Sequence, residues 1–389
     1  MDSLNDPFSL YVHIPYCISK CPYCDFNSHV VAKIPERSYT DAIVRELKRY
    51  AALDDWRHRT IQTIFFGGGT PSTFHPGAIG EILETAAGHW TLSTKSEITL
   101  EANPGTVDRC YFDGYRRAGV NRISVGVQSF EPRVLRFLGR AHSAEEAKTA
   151  LGVVREAGFS NFSLDLIYAN PGQTLSDLKN DLEMALSFGP PHLSAYNLTI
   201  EEGTPFGHEY RLGRLSLLSE DEELAMGELV EHTLGQAGLA RYEISSYARP
   251  GYYSRHNINY WRGGDYLGVG AGAHSCKQRR DGAVITERWS NEKNPGRYME
   301  RIQQTGDPVV AREHNDLKTA AGEFMFLGLR TTEGIALEEF EARFRVSAGS
   351  VYPEIATWIE EGLMEQSDNV LRLSRHGFQV ANSIFVHFL

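Results

Sequence analysis

The first half of the chain alternates short apolar segments with longer segments of helical period, and this alternation limits the fold more than any other feature. Six segments are rich in β-branched and aromatic residues and largely apolar, as expected of parallel strands buried on both faces. They are residues 9–15, 61–66, 97–102, 122–127, 161–167 and 193–198. Strands that alternate with helices predict β-α units around a parallel sheet, and the intervals suit a partial (β/α)6 TIM-like barrel.

Two of the intervening segments show why helices are expected between the strands. In residues 39–53, Ile43, Leu47 and Tyr50 recur at three- and four-residue steps and form one apolar stripe. Residues 174–188 repeat the pattern and begin at Thr174, a residue type that often caps helices. Both stripes are expected to pack against the sheet.

Beyond residue 200 the alternation stops. Residues 249–274 are dense in Gly, Tyr and Asn and are predicted to form a loop. From residue 317 the pattern is three helices, a hairpin over 363–366 and 370–373, and a last helix, which suggests a winged-helix-like unit. We therefore expect a barrel in residues 1–215, a capping segment in 216–316, and a mostly helical C-terminal domain in 317–389.

Charge and composition exclude several classes of protein. The 389 residues include 50 acidic and 39 basic ones, a net charge of -11 that repels a phosphate backbone, so no nucleic-acid partner is expected. No apolar run reaches the roughly 18 residues of a transmembrane segment. The acidic amino terminus lacks the basic and apolar stretches of an export signal, which predicts a cytoplasmic protein.

Three of the five cysteines form one spaced motif directly after the first predicted strand. Cys17, Cys21 and Cys24 have the spacing C-x3-C-x2-C, whereas Cys110 and Cys276 stand alone. Three thiolates can hold three irons of a [4Fe–4S] cluster and leave the fourth iron open to a small molecule. The alternative is a zinc site completed by His13 or His29, although structural zinc is normally fully enclosed by protein ligands.

Later predicted strands also end in residues suited to ligand contact. The second runs into Gly67-Gly68-Gly69-Thr70-Pro71, where the absent side chains let the backbone approach a ligand. Glu101, Gln128 and Asp165 lie at or near the ends of the next three. A carboxylate there can accept hydrogen bonds from ribose hydroxyls or an ammonium group, while the alternatives are a flexible turn, a helix cap or an interstrand bond.

The cysteine motif after a strand, with Tyr23 before its third cysteine, resembles the radical S-adenosylmethionine (SAM) superfamily. In that family the open iron of the cluster binds the amino and carboxylate groups of SAM, and an electron from the cluster cleaves the sulfonium to a 5′-deoxyadenosyl radical. The resemblance therefore implies a [4Fe–4S] cluster held by the three cysteines, with SAM as the second cofactor.

From about residue 9 to residue 199 the chain resembles the coproporphyrinogen-dehydrogenase-like branch of this superfamily. The resemblance implies that Tyr11, Gly68 and Glu101 meet one SAM together with the cluster. It places further cofactor contacts, some of them to a second molecule, at Tyr23, Gly69, Thr70, Gln128, Arg140, Asp165 and Thr199. One departure is Ala169-Asn170, where relatives usually carry Gly-Leu, so the loop after the fifth strand is expected to differ.

Two features separate the members of this branch. The dehydrogenases resemble C-x3-C-x2-C-x-C, whereas this chain has Phe26 two residues after the last motif cysteine, as in the haem chaperones of the HemW family. The second feature is His256-Asn257-Ile258-Asn259-Tyr260-Trp261, which also resembles HemW. An imidazole can ligate haem iron and aromatic rings can lie against the porphyrin, so His256, Tyr260 and Trp261 are candidate haem residues.

The leading hypothesis is a radical SAM haem chaperone that carries haem as cargo to recipient haem proteins or membrane-associated cytochromes. His13, His274 and Cys276 remain alternative ligands to His256. The second hypothesis is an oxygen-independent coproporphyrinogen III dehydrogenase that oxidatively decarboxylates propionates, which Phe26 disfavours. A third, a radical enzyme acting on RNA, is disfavoured by the acidic charge. No residue type or pattern in the chain selects a catalytic base.

Overall fold

The computed structural model describes residues 7–279 and 286–389. The strands, in chain order, are β1 (Pro7–Ile14), β2 (Tyr16–Cys17), β3 (His29–Val30), β4 (Thr60–Gly68), β5 (Thr91–Ala102), β6 (Arg122–Gln128), β7 (Phe162–Tyr168), β8 (His192–Asn197), β9 (Ala240–Arg241), β10 (Ser246–Ala248), β11 (Tyr266–Val269), β12 (His274–Gln278), β13 (Thr286–Asn291), β14 (Val309–Asn315), β15 (Ile335–Ala336), β16 (Met364–Ser367) and β17 (Val370–Leu373).

The α-helices, in the same order, are α1 (Glu36–Ala51), α2 (Pro76–His89), α3 (Arg109–Ala118), α4 (Pro132–Phe137), α5 (Ala144–Glu156), α6 (Leu175–Ser187), α7 (Pro205–Arg211), α8 (Glu220–Gln236), α9 (Arg255–Trp261), α10 (Pro295–Thr305), α11 (Leu317–Gly328), α12 (Leu337–Phe344), α13 (Ala348–Val351), α14 (Glu354–Glu360), α15 (Arg375–Gln379) and α16 (Ala381–Phe385). Single 3-10 turns occupy Pro71–Thr73, Pro104–Thr106 and Val386–Phe388.

Six parallel strands form the centre of one large sheet, in the order β1-β4-β5-β6-β7-β8. These are the six strands that the sequence predicts, and the α/β fold with a mostly parallel sheet is confirmed. The largest difference in bounds is at β5, which begins at Thr91, six residues before the predicted start. Leu10 and Val12 of β1 are fully buried, as strands covered by helices require.

The predicted helices 39–53 and 174–188 are confirmed as α1 and α6. Tyr39, Ile43 and Leu47 form the buried stripe of α1. Thr174 caps α6: its hydroxyl accepts from the amide of Asp177, whose carboxylate accepts from the amide of Thr174. This reciprocal capping fixes where the chain turns from the loop after β7 into the helix.

The predicted loop over residues 249–274 is wrong, because this segment contains α9 and β11. Ser254 caps α9 by accepting from the amide of Asn257. Residues Tyr266–Val269 pair in parallel with β1, on the edge opposite β4. Both elements are short, and pairing with a distant strand stabilises the second one, so neither produces a long periodic pattern in the sequence.

The sheet continues past β11 with the antiparallel strands β12, β13 and β14, and past β8 with β10 and β9. The strand β1 therefore lies inside the sheet and not at its edge. This extension doubles the width of the sheet from six strands to twelve.

The elements after residue 317 surround their own apolar core, which includes Met325, Phe340, Phe344, Leu371 and Phe385. The predicted hairpin is confirmed as β16 and β17, and β15 joins it as a third strand. The C-terminal region is mostly helical, as expected. Among the described helices none is long and apolar enough to cross a bilayer.

A buried carboxylate joins α1 to the sheet extension. Glu46 is fully buried and accepts hydrogen bonds from the amide of Gly270 (2.9 Å), Asn291 Nδ2 (2.7 Å) and the hydroxyl of Tyr298 (2.6 Å). Burial raises the pKa of Glu46 to about 7, against the lowering effect of these donors. The fold therefore holds a proton on Glu46 over a pH range in which the unfolded chain has lost it.

We expect the wild type to lose stability relative to Glu46→Gln as the pH rises from about 4.5 to 7. The folded protein binds more protons than the unfolded chain in this window, so the free energy of unfolding falls with pH, by up to about 3 kcal/mol. Urea unfolding of both proteins at pH 5 and pH 7.5 measures the difference. Glu84→Gln, at an exposed position on α2, is the control. Parallel pH profiles for the wild type and Glu46→Gln would contradict the prediction.

Candidate functional site

The cysteine motif lies on a closed loop at the carboxyl end of β1. The loop is closed because β2 pairs in parallel with β3, so that Tyr16 lies opposite His29 and Cys17 opposite Val30. Inside it, the amide of Cys24 donates to the carbonyl of Cys21 at 3.2 Å. All three thiols line one cavity of about 400 Å³, which we call the cluster cavity.

The glycine loop after β4 is fixed against this cysteine loop by main-chain contacts. The amide of Gly69 donates to Ile14 O and that of Thr70 to Tyr16 O, each at 2.8 Å. A Cβ on Gly69 would lie 2.7 Å from both the nitrogen and the oxygen of Tyr16, so a larger residue cannot fit. The hydroxyl of Thr70 donates to Cys17 Sγ at 3.5 Å. Close packing of two backbones is thus one reason for the glycines.

The arrangement of metal-binding side chains bears on the zinc alternative. In the described ranges, no three His, Cys, Asp or Glu side chains lie close enough together to share one metal ion. His13 uses both ring nitrogens, one toward the hydroxyl of Tyr11 (3.0 Å) and one toward Asn27 O (2.9 Å). An iron–sulfur cluster gives each thiolate its own iron, so its thiols need not converge on one point. The donor set fits a cluster better than zinc.

The walls of the cluster cavity come from the carboxyl ends of successive parallel strands, where ligands of such sheets bind. Besides the cysteines, the predicted residues that line it are Tyr23, Gly68, Gly69, Thr70, Glu101, Gln128, Arg140, Asp165 and Thr199. Further residues of the wall were not predicted from the sequence, among them Asn103, Ser124, Tyr196, Asn197 and Glu201. Only their position could have predicted them, since each lies on or shortly after a strand near a predicted site residue.

Arg140 connects the cysteine loop to two strand ends. Its Nη2 donates to Asn103 Oδ1 (2.6 Å) and Gly126 O (2.9 Å), and its Nη1 lies 3.4 Å from Cys21 Sγ. Asn103 in turn donates from Nδ2 to the hydroxyl of Thr70 at 2.8 Å. A fixed cation therefore lies beside a thiol whose ligand form is an anion.

Two carboxylates face the same cavity from neighbouring positions. Glu101 accepts from the amide of Gly68 at 3.2 Å, and Asp165 accepts from the hydroxyl of Ser124 at 3.0 Å. Burial, together with the charge of Asp165, raises the pKa of Glu101 to about 8. Burial likewise raises the pKa of Asp165. Because the ionised forms of these two partly buried acids are disfavoured, the pair favours a positively charged ligand.

Gln128 reaches the cavity through a local distortion of β6. It has φ of 67°, a left-handed conformation that is costly for residues other than glycine, and the β6–β7 register shifts between Gly126 and Gln128. Such bulges often re-aim a side chain beside a functional site.

The Ala169-Asn170 departure lies outside the wall of the cluster cavity. Ala169 is buried and has φ of 60°, the region in which glycine is favoured. Asn170 is fully buried and donates from Nδ2 to Ile167 O and Gln173 Oε1. The two residues shape the turn after β7 from behind the cavity.

A second cavity, of about 730 Å³, lies between the cysteine loop, the sheet extension and the C-terminal region. Tyr11, predicted as a SAM contact, lines this second cavity and not the cluster cavity. The two cavities share part of their walls, formed by Lys20, Asp25, Phe26, Ser28, Gly68 and Glu101. The remaining wall of the second cavity includes Tyr260, Trp261, Tyr266, His274, Cys276, Arg288, Lys293, Phe324 and Leu327.

The structure separates the three candidate haem residues. Tyr260 and Trp261 line the second cavity, while His256 lies behind them and is 1% exposed. His256 Nδ1 is 2.8 Å from Thr63 Oγ1 and its Nε2 is 2.9 Å from the hydroxyl of Tyr260. Burial lowers the pKa of His256 to about 3, so the ring is neutral. Both of its nitrogens are engaged within the chain.

Comparison with known proteins gives two family matches. Residues 11–185 match the model of the Radical SAM superfamily, and residues 315–380 match that of the HemN C-terminal domain. The first match contains the cysteine motif and runs from within β1 to within α6. The second covers most of the C-terminal region.

Curated relatives match over nearly the full length. The chain is 38% identical to the heme chaperone HemW of Escherichia coli (strain K12) and 37% identical to that of Haemophilus influenzae, over 98% of this chain and 98% of each relative. Among solved structures it is similar to the coproporphyrinogen III oxidase HemN from Escherichia coli, described as a radical SAM enzyme. The TM-score is 0.82 and the identity 22%, over 99% of this chain and 90% of that one. At this identity the likeness supports the fold alone.

We expect Cys17→Ser, Cys21→Ser and Cys24→Ser each to lose essentially all of a rebuilt iron–sulfur cluster, because each thiolate would hold a separate iron. Iron and sulfide per chain, measured after anaerobic reconstitution, test this. Cys110→Ser, at an exposed position outside the cavity, is the matched control and should keep the wild-type content. Wild-type iron content in any of the three motif variants would contradict the assignment.

Proposed function

This chain belongs to the HemW family of radical SAM proteins, and from that membership we propose that it binds haem and delivers it to recipient proteins. The observation that carries the proposal is the full-length identity of 38% to a protein named as a haem chaperone. The recipients proposed are haem proteins or membrane-associated cytochromes, because a carrier of a poorly soluble cargo needs an acceptor.

Membership of the radical SAM superfamily implies a [4Fe–4S] cluster and SAM. We assign the cluster to Cys17, Cys21 and Cys24, and SAM to the remaining walls of the cluster cavity. When bound, the cluster supplies an electron and an iron with an open position. The thiols fit a cluster, and the backbone of the glycine loop and the two partly buried acids fit SAM, since SAM carries a cationic sulfonium.

The second cavity fits a haem-sized ligand. Its volume of about 730 Å³ lies within the range of roughly 300–1,000 Å³ usual for small-molecule sites. Tyr260, Trp261 and Phe324 provide aromatic surface. Trp261 Nε1 is buried and hydrogen-bonds to no described residue. The shared wall puts this cargo beside the cluster cavity.

A porphyrinogen dehydrogenase is the rival reading, and the similarity to HemN is its support. That similarity concerns the fold. Phe26 occupies the position of the additional cysteine in the dehydrogenase motif, and its side chain is 61% exposed at the shared wall. We therefore favour the carrier over the decarboxylase.

We expect SAM to bind more weakly as the pH is lowered from about 8 to 6. Glu101 holds a proton in the free cavity below pH 8, and a cationic ligand favours its ionised form, so the proton must be displaced. The affinity for SAM should fall by at most about tenfold for each pH unit. Calorimetric titration of the cluster-loaded protein at several pH values measures it. Glu101→Gln should bind SAM more weakly at pH 8, and its affinity for SAM should depend less on pH than that of the wild type. An equal pH dependence of the affinity in both proteins would contradict the role of Glu101.

The proposed function predicts saturable uptake of one haem per chain by the cluster-loaded protein under anaerobic conditions. Haem should then pass to an added apo-haem protein, followed by the change in the haem absorption band. With SAM and a reductant, coproporphyrinogen III should yield no protoporphyrinogen. Formation of protoporphyrinogen without stoichiometric haem uptake would overturn the carrier in favour of the dehydrogenase.

A further inference from the structure

We propose that His274, and not His256, ligates the iron of the bound haem, and that Lys293 pairs with one of its propionates. This inference rests on the proposed function, because it names the contacts of the same cargo in the second cavity. It assigns His256 a different task, which is to position Tyr260.

His274 differs from the other histidines around the second cavity in that both of its ring nitrogens are available, whereas His29 has one nitrogen engaged and His13 has two. His274 is exposed, lines the cavity, and neither of its ring nitrogens bonds to any described residue. His13 and His256 each use both nitrogens in internal contacts. His29 uses Nε2 toward Asn27 Oδ1 at 3.1 Å. Ligation requires a free nitrogen with access to the ligand, and His274 has both without loss of an existing contact.

The backbone that carries His274 is held firmly. His274 begins β12 and lies opposite Ser290 of β13. A Cβ on Gly268 would lie 2.1 Å from the carbonyl oxygen of His274, so the neighbouring strand packs directly against it. The amide of Asn291 donates to Ala273 O at 3.0 Å. A ligand placed on a strand end with this support is preorganised for binding.

Asn27 connects this strand end to the cysteine loop. Its Nδ2 donates to Ala271 O (2.9 Å) and Lys293 O (3.0 Å), while its own carbonyl contacts His13 Nε2. One side chain of the cysteine loop therefore fixes the segments that carry both His274 and Lys293. The two proposed contacts belong to one rigid wall.

The charges that face His274 favour a ligand with carboxylates. Lys293 and Arg288 lie nearby on the cavity wall, with Glu313 as the nearby acid. Partial burial and these two cations lower the pKa of His274, so its ring is neutral and able to bind a metal. Arg288 pairs with Glu323 at 3.0 Å, but its buried Nε has no partner among the described residues. Lys293 is left as the simplest partner for a propionate.

Two other groups are less suitable as iron ligands. Cys276 is buried, and its burial raises the pKa of the thiol to about 11, so the thiolate form is disfavoured. His256 would have to give up its contact with Tyr260 and pass that ring to reach the cavity. Its hydrogen bond and its edge-to-face contact, with ring centroids 4.9 Å apart, instead fix the orientation of Tyr260.

Titration of the full-length, cluster-loaded protein with ferric haem tests the ligand directly. The wild type should show the absorption and electron paramagnetic resonance (EPR) signature of a histidine-ligated haem. His274→Ala should lose this signature and bind haem roughly tenfold more weakly or worse, and added imidazole should restore the signature. His29→Gln is the matched control, since His29 also lines the cavity, and it should keep the signature. His256→Gln should keep it too, with weaker uptake.

Metal-free protoporphyrin IX separates the two proposed contacts. It has propionates but no iron, so His274→Ala should bind it as well as the wild type does. Lys293→Gln should bind both haem and the metal-free porphyrin about two- to fivefold more weakly, as expected for a partly exposed ion pair. Lys33→Gln, at an exposed position outside both cavities, is the control for the loss of a positive charge.

Failure of the proposed function and failure of the ligand assignment give different experimental results. If the wild type takes up no stoichiometric haem, the proposed function fails. If the wild type binds haem and His274→Ala keeps its spectrum and affinity, the assignment of the ligand fails while the carrier stands. Loss of the histidine signature in folded His256→Gln, with the signature kept in His274→Ala, would return the ligand to His256.

Discussion

Pairing of β1 on both of its edges is the constraint on which the two cavities depend. Its backbone bonds in parallel to β4 on one side and to β11 on the other. The loop that leaves its carboxyl end therefore emerges between two halves of the sheet. On the β4 side, successive strand ends build the cluster cavity, and on the β11 side the antiparallel extension builds the second cavity. The cysteine loop is the wall between them.

The two cavities differ in charge in a way that matches their proposed ligands. Asp165 lines the cluster cavity alone and Glu101 lies in the shared wall, and burial raises the pKa values of both acids, which suits a cationic sulfonium. The second cavity carries Lys293 and Arg288 beside His274, which suits a metalloporphyrin with carboxylate groups. Phe26 and Ser28 belong to both walls, so the two cavities are adjacent.

The sequence predicts the six parallel strands of the twelve-stranded sheet and many residues of the cluster cavity, because buried strands and a close cysteine motif are local patterns. The six parallel strands, the helix that begins after Thr174 and the C-terminal hairpin follow from periodicity and turn residues. The rest of the sheet depends on pairing between strands that are far apart in the sequence. The strand β11 has four residues and depends on β1, so the extension and its cavity are invisible in periodicity. The motif His256 to Trp261 indicates a site, but only three-dimensional contacts show that the imidazole faces inward while Tyr260 and Trp261 line the cavity.

We propose that three thiolates leave one iron of a cuboidal cluster free to bind SAM. EPR spectroscopy of the reduced, anaerobically rebuilt protein, recorded with and without SAM, tests it most directly. We expect a [4Fe–4S] signal whose g values change when SAM is added, because the cofactor binds the iron that lacks a protein ligand. A protein that holds only zinc, or a cluster signal that SAM leaves unchanged, would contradict it.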